Sequence, residues 1–167
     1  MRKWFVVLSV VALATQFLQA APRDSKSQPA FDKMKSLEGV WEGTTPDGKP
    51  MRISYKVVSE RSAVMETIDH DSTGGFMVTM YHLDGDHLMM THYCSAGNQP
   101  RMRLVRSTPT SLAFEMFDAT NLASKDDLHM HNLIITWADK DHITEDWTMR
   151  VKGKDAHHGL FKLARKR

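Results

Sequence analysis

A single cysteine, Cys94, in 167 residues excludes an internal disulfide, so packing must hold the fold together. Charge of one sign is not in excess either: Lys and Arg number 22 against 20 Asp and Glu. A near-neutral chain gives no electrostatic reason to expect nucleic acid as a partner. There is no Gly-rich phosphate loop, no G-x-S-x-G elbow, no H-E-x-x-H and no paired C-x-x-C, so no motif-bearing catalytic class is indicated. Long apolar runs are absent except for one, Trp4 to Leu18.

That run follows a basic start, Met1-Arg2-Lys3, and ends in small residues at Ala20 and Ala21, the pattern of a secretory signal peptide over residues 1–21. It is shorter than the roughly 20 apolar residues a spanning helix needs, and no later segment approaches that length. The expected protein is exported, periplasmic or secreted, with no integral membrane span. Cleavage after Ala20 or Ala21 removes Arg2 and Lys3 and leaves basic and acidic residues balanced at 20 each. About 146 of the 167 residues then remain, enough for one domain with a proper core. Residues 22–30 begin with the polar stretch PRDSKSQP and are expected to form a flexible leader, which places the domain at 31–167. The basic end, Arg165-Lys166-Arg167, is expected to be solvated.

Phe31, Met34 and Leu37 recur at helical spacing, with Asp32 near the start and Gly39 where a helix would stop. After this short helix the period changes to two and stays there. Ten strands are predicted: Val40 to Thr44, Met51 to Ser59, Ala63 to Asp69, Phe76 to Leu83, His87 to Cys94, Arg101 to Ser107, Leu112 to Phe117, Leu128 to Trp137, His142 to Arg150 and Gly159 to Ala164. Between them stand turn signals such as Pro46-Asp47-Gly48, Ser72-Thr73-Gly74-Gly75, Asp84-Gly85-Asp86 and Gly97-Asn98. Most connections are short enough to allow only antiparallel hairpins. Strands in this number leave an open edge unless the sheet curls shut, so the expected fold is an all-β, antiparallel up-and-down barrel of about ten strands with one short N-terminal helix. A two-layer sandwich ranks second, because it needs crossing connections.

The run Leu37-Glu38-Gly39-Val40-Trp41-Glu42-Gly43 resembles the G-x-W opening of the lipocalin and calycin superfamily, and its extended form G-x-W-x-G is closer to the fatty-acid-binding and nitrobindin-like branch. The stretch from Tyr81 through Thr91-His92-Tyr93-Cys94 to Gly97-Asn98-Gln99-Pro100-Arg101-Met102 is similar to a family of secreted bacterial proteins that brings no established activity with it. The barrel resemblance implies a lumen that takes one small ligand.

Candidate site residues follow from strand alternation. His92 and Cys94 share a face with Leu88 and Met90, as ligands for a metal or haem, as a base and nucleophile, or as a half-buried histidine and a structural thiol. Gln99 and Arg101, after the Gly97-Asn98 turn, can fix an anionic group at a barrel mouth. Glu66 and Glu115 interrupt apolar surroundings; if inward they need partners such as Arg101 or Arg103, and one could act as general base. His129 and His131 form a His-x-His pair that could bind metal only if His92, Cys94 or His142 supplied a third ligand. The eleven methionines beyond Met1 suit an adaptable apolar cavity better than a copper site. The ligand-binding set is therefore His92, Arg101, Glu66, Gln99, Glu115 and Arg103, with no resident cofactor expected and haem as the exception.

Two function classes remain. The favoured one is a non-enzymatic carrier or sensor of an apolar or amphipathic small molecule. The alternative is a haem- or metal-binding barrel, or a small isomerase or hydrolase, built around His92 and Glu66.

Overall fold

The structure, a computed structural model, describes residues 25–45, 47–69 and 76–167, without the side chains of 157 and 158. The expected signal peptide, the first part of the leader, Pro46 and the turn Ser72-Thr73-Gly74-Gly75 lie outside the described residues. Helix α1 (Gln28–Lys35) precedes ten strands: β1 (Gly39–Thr44), β2 (Pro50–Val58), β3 (Ala63–Asp69), β4 (Phe76–Asp84), β5 (His87–Tyr93), β6 (Gln99–Ser107), β7 (Ser111–Thr120), β8 (His129–Trp137), β9 (His142–Val151) and β10 (Lys154–Arg165). Each strand pairs antiparallel with its sequence neighbours, and β1 also pairs with β10, so the sheet closes into an up-and-down barrel. No helix among the described residues is long and apolar enough to cross a membrane.

Two local differences from the sequence reading have plain causes. The helix begins at Gln28, three residues before Phe31, because Pro29 in its first turn has a pre-set φ and no N–H to waste. It also ends at Lys35, before Gly39, which opens β1 with φ +130°. Strand β10 begins five residues earlier than Gly159, since Lys152 and Gly153 both adopt positive φ and make a two-residue hairpin turn from Val151 to Lys154.

Helix α1 plugs one end. Phe31, Met34 and Leu37 are buried against the barrel, and the Trp41 indole N–H donates to the Leu37 carbonyl at 2.8 Å. The Arg165 guanidinium lies 4.2 Å over the Trp41 ring and donates to the carbonyls of Glu38 and Ser36 at 2.7 and 2.9 Å. The G-x-W-x-G run thus has a physical account. Trp41 ties the plug to the wall, and Gly43 lets β1 approach β10 where a Cβ would stand 2.0 Å from the Lys162 carbonyl oxygen.

The inward faces near the plug are apolar: Trp41, Val64, Leu88, Leu112, Ile143 and Leu163 are all buried. Burying such side chains contributes roughly 2 kcal/mol each. The other end of the barrel is not filled, and between the two ends lies a polar layer.

Candidate functional site

Strand register builds that layer. Tyr55 on β2 stands opposite Glu66 on β3, Glu66 opposite Thr79 on β4, and Thr79 opposite His92 on β5. Four consecutive strands therefore each place one residue in a single row, and because alternate residues share a face, the row points inward with Ile53, Ile68, Met77 and Met90. All four members of the row are buried. Across the lumen β9 contributes Glu145 and Trp147 from the same face as Ile143.

Glu66 and Glu145 meet in the centre. The Tyr55 hydroxyl bonds Glu145 Oε1 and reaches Glu66 Oε1 at 3.2 Å. The Tyr81 hydroxyl donates to Glu66 Oε2 at 3.0 Å, and the Trp147 indole donates to Glu145 Oε2 at 3.0 Å. The two carboxyls also hydrogen-bond each other, which requires a proton between them. Glu66 holds it. Burial, then the Glu145 charge, pushes Glu66 well above the ordinary carboxylate range; burial also raises Glu145, but bonds from Tyr55, Trp147 and Glu66 oppose that rise. Tyr55, Tyr81 and Trp147 thus all donate to this carboxyl pair.

His92 continues the row. Its Nδ1 lies 2.9 Å from Thr79 Oγ1, and its ring stacks on Trp147 with centroids 4.7 Å apart. One of this pair donates to the other, and His92 Nε2, on the far side of the ring, is buried and has no hydrogen-bond partner among the described residues. Burial pushes the His92 pKa down to about 4, so the ring is neutral near pH 7.

The His92 side chain borders a cavity of about 450 Å³ at the barrel end opposite α1, walled by Ile68, Met77, Met130, Trp147, Met149 and Phe161. Half-buried Thr45 and exposed Asp47 also border it, and Asp47 marks where it meets solvent. Gly159, opposite Trp147, adds room where a side chain would project. The methionines here are cavity lining, as their scatter along the strands suggested.

Of the residues singled out from sequence, Glu66 and His92 come together, joined through Thr79. Glu66 pairs with tyrosines and a second carboxyl, not with arginine. Arg101, Arg103 and Glu115 face outward: Arg101 pairs with Asp118, and Glu115 stands opposite Arg103 on the exterior of β6 and β7. Gln99 is half-buried, accepting from Thr120 Oγ1 at 2.8 Å and donating to the Gly97 carbonyl at 3.2 Å. Cys94 is half-buried at the Cys94–Asn98 turn, where its carbonyl accepts from Gly97 N–H at 3.0 Å. His129 and His131 meet edge to face with centroids 5.6 Å apart beside a different groove, with His131 held by Arg150 at 2.6 Å. His142 is at the plugged end, bound to Asp139. Among the described residues no three His, Cys, Asp or Glu groups converge as a metal site.

Sequence reasoning missed Tyr55, Thr79, Tyr81 and Glu145. Glu145 was hidden by its polar neighbours Thr144 and Asp146; the available signal was its position two residues from both Ile143 and Trp147, which gives one face Ile-Glu-Trp. No family model matches the chain, and no curated protein matches it.

Proposed function

We propose that this protein is an exported, calycin-like barrel that carries or senses a small apolar or amphipathic molecule in its lumen. One observation carries the reading: the barrel end opposite α1 holds a cavity of about 450 Å³ whose described wall is almost wholly apolar, with the buried His92 ring on its border. Concave apolar space of this size with a few polar groups at its edge is what small-molecule sites offer. Export is supported by the basic start, apolar run and small residues of positions 1–21.

Two measurements test it. An organic extract of the purified protein, analysed by mass spectrometry, should contain a stoichiometric small molecule. The emptied protein should bind N-phenyl-naphthylamine with a rise in probe fluorescence, and Met77→Trp, which fills the cavity, should remove that binding without changing the far-ultraviolet circular dichroism spectrum. Equal probe binding by both proteins would sink the reading.

The His92 ring on the cavity border supports haem as a second reading, since a neutral imidazole is what haem iron takes from a proximal histidine. His92 would hold the iron and the methionines would surround the ring; the iron would supply diatomic-ligand or redox chemistry. The described lining has no lysine or arginine for the haem carboxylates, which ranks this reading below the first. Haemin titration decides it: a Soret shift lost in His92→Ala favours haem. An isomerase or hydrolase with Glu66 as base ranks third, because Glu66 does not border the cavity and reaches it only through Thr79 and His92.

A further inference from the structure

We infer that the contact between Arg150 and His131 is an acid-sensitive latch on the cavity wall, closed while the His131 ring is neutral and opened when that ring is protonated. What the latch controls, the affinity for a guest, rests on the reading of the cavity as a binding site.

The wall has least backbone support where the latch sits. Strand β7 pairs with β8 no further than Glu115 opposite Asn132, so His129, Met130 and His131 are laddered on one side only, to β9. That ladder is itself interrupted, because the register shifts between Met130 and Asn132 and leaves His131 as the extra residue of a bulge. Met130 and Met149 stand opposite each other on this stretch, and both border the cavity. The side-chain tie from His131 to β9 therefore replaces missing backbone bonds beside the cavity.

Chemistry decides which partner donates. A guanidinium has only N–H donors, so across the 2.6 Å between Arg150 Nη1 and His131 Nε2 the imidazole must accept. Its hydrogen is then on Nδ1, and the ring is neutral. A second proton would set N–H against N–H and positive charge against positive charge, which the bond cannot survive.

The groups around the ring oppose that proton on balance. On β8 the His129 ring lies 5.6 Å away, its Nδ1–H donating to the Asp127 carbonyl at 2.7 Å. Glu115 on β7 and Asp155 on β10 favour protonation, but Arg150 Nε already holds Asp155 at 2.9 Å. Asp118 and Lys125 border the same groove with opposite charges. Burial, then the Arg150 charge and then His129, keep the His131 pKa below the ordinary imidazole value of 6.5. The tie is thus complete above that value and is lost as pH falls below it.

The test measures N-phenyl-naphthylamine affinity of the full chain at about pH 7.5 and about pH 5, in wild type and in His131→Gln. Glutamine offers Arg150 a carbonyl oxygen that does not titrate, while His92 and His129 are the same in both proteins. Wild-type affinity should fall at least about threefold on acidification, in step with the His131 imidazole resonance, and His131→Gln should hold its affinity. An equal loss in both proteins, or no loss in the wild type, overturns the latch and leaves the cavity reading intact. Should His131→Gln fail to fold, Arg150→Gln decides: without the guanidinium, His131 should titrate at higher pH than in the wild type, and an unchanged titration overturns the latch. A probe that binds at neither pH overturns the cavity reading, and the His131 titration in Arg150→Gln then judges the latch alone.

Discussion

The hydroxyl of Thr79 stands 2.9 Å from Nδ1 of His92, directly opposite it across β4 and β5, and this contact holds the ring in place beside the cavity. Because the ring is buried, it stays neutral near pH 7.

The pH dependence of stability reports that neutrality. In the unfolded chain the imidazole titrates near 6.5, and in the folded barrel it does so at about 4. Between those values the unfolded state binds the extra proton, so the contribution of neutral His92 is complete above about 6.5 and is lost as pH falls toward 4. A shift of this size corresponds to at most roughly 3 kcal/mol. Urea unfolding of wild type and His92→Phe across that window should show the wild type losing stability relative to the variant on acidification. A difference independent of pH would show that His92 titrates in the fold as it does in the unfolded chain.

The two buried carboxyls should respond unequally to the same substitution. Glu66 holds the shared proton, so Glu66→Gln keeps an acceptor for Tyr81 and an N–H for Glu145; it should change stability by less than about 1 kcal/mol at acid pH. Glu145 accepts from Tyr55, Trp147 and Glu66 at once. Glu145→Gln sets an amide hydrogen against one of those donors and should cost about 2 kcal/mol or more. The raised Glu66 pKa also means that wild-type stability falls as pH climbs above 4.5, while Glu66→Gln escapes this loss. Denaturation midpoints of the two variants at acid and neutral pH measure both effects; equal costs would overturn the assignment of the proton to Glu66, and the opposite order would place it on Glu145.

The architecture was legible in sequence because the signals for it are local. Period-two alternation marks strands, and Gly-Asn or Asp-Gly-Asp mark hairpins, so the strand order needed no long-range knowledge. His92 was found because it shares a face with Leu88 and Met90. Glu66 and Glu115 looked equivalent, each set among apolar residues, yet one faces the lumen and the other the solvent. What separates them is register: Glu66 lies opposite Tyr55 and Thr79, whereas Glu115 lies opposite Arg103. Register between strands distant in sequence is set by barrel closure, which no single segment encodes. For the same reason the Glu66–Glu145 contact, which crosses the lumen from β3 to β9, left no local trace.

Closure itself depends on Gly43. A Cβ there would lie 2.0 Å from the Lys162 carbonyl oxygen and 3.0 Å from its carbon, and both belong to backbone that cannot swing aside. Gly43→Ala must therefore push β1 off β10, where Gly43 stands opposite Leu163. The seam is otherwise held by the ladder from Trp41 opposite Arg165 to Thr44 opposite Lys162, by Lys166 N–H to the Val40 carbonyl at 2.8 Å, and by Arg165 over the Trp41 ring. The expected cost is on the order of 4 kcal/mol, in the range reserved for overpacking against immobile neighbours. Glu42→Ala is the matched control. It removes only an exposed pair with Lys166, worth about 0.5 kcal/mol. Hydrogen exchange should show early deprotection of residues 40–44 in Gly43→Ala, with β4 and β5 still protected and the near-ultraviolet signal of Trp41 lost. Wild-type protection along β1 in that variant would mean that the barrel does not rely on close approach at this glycine.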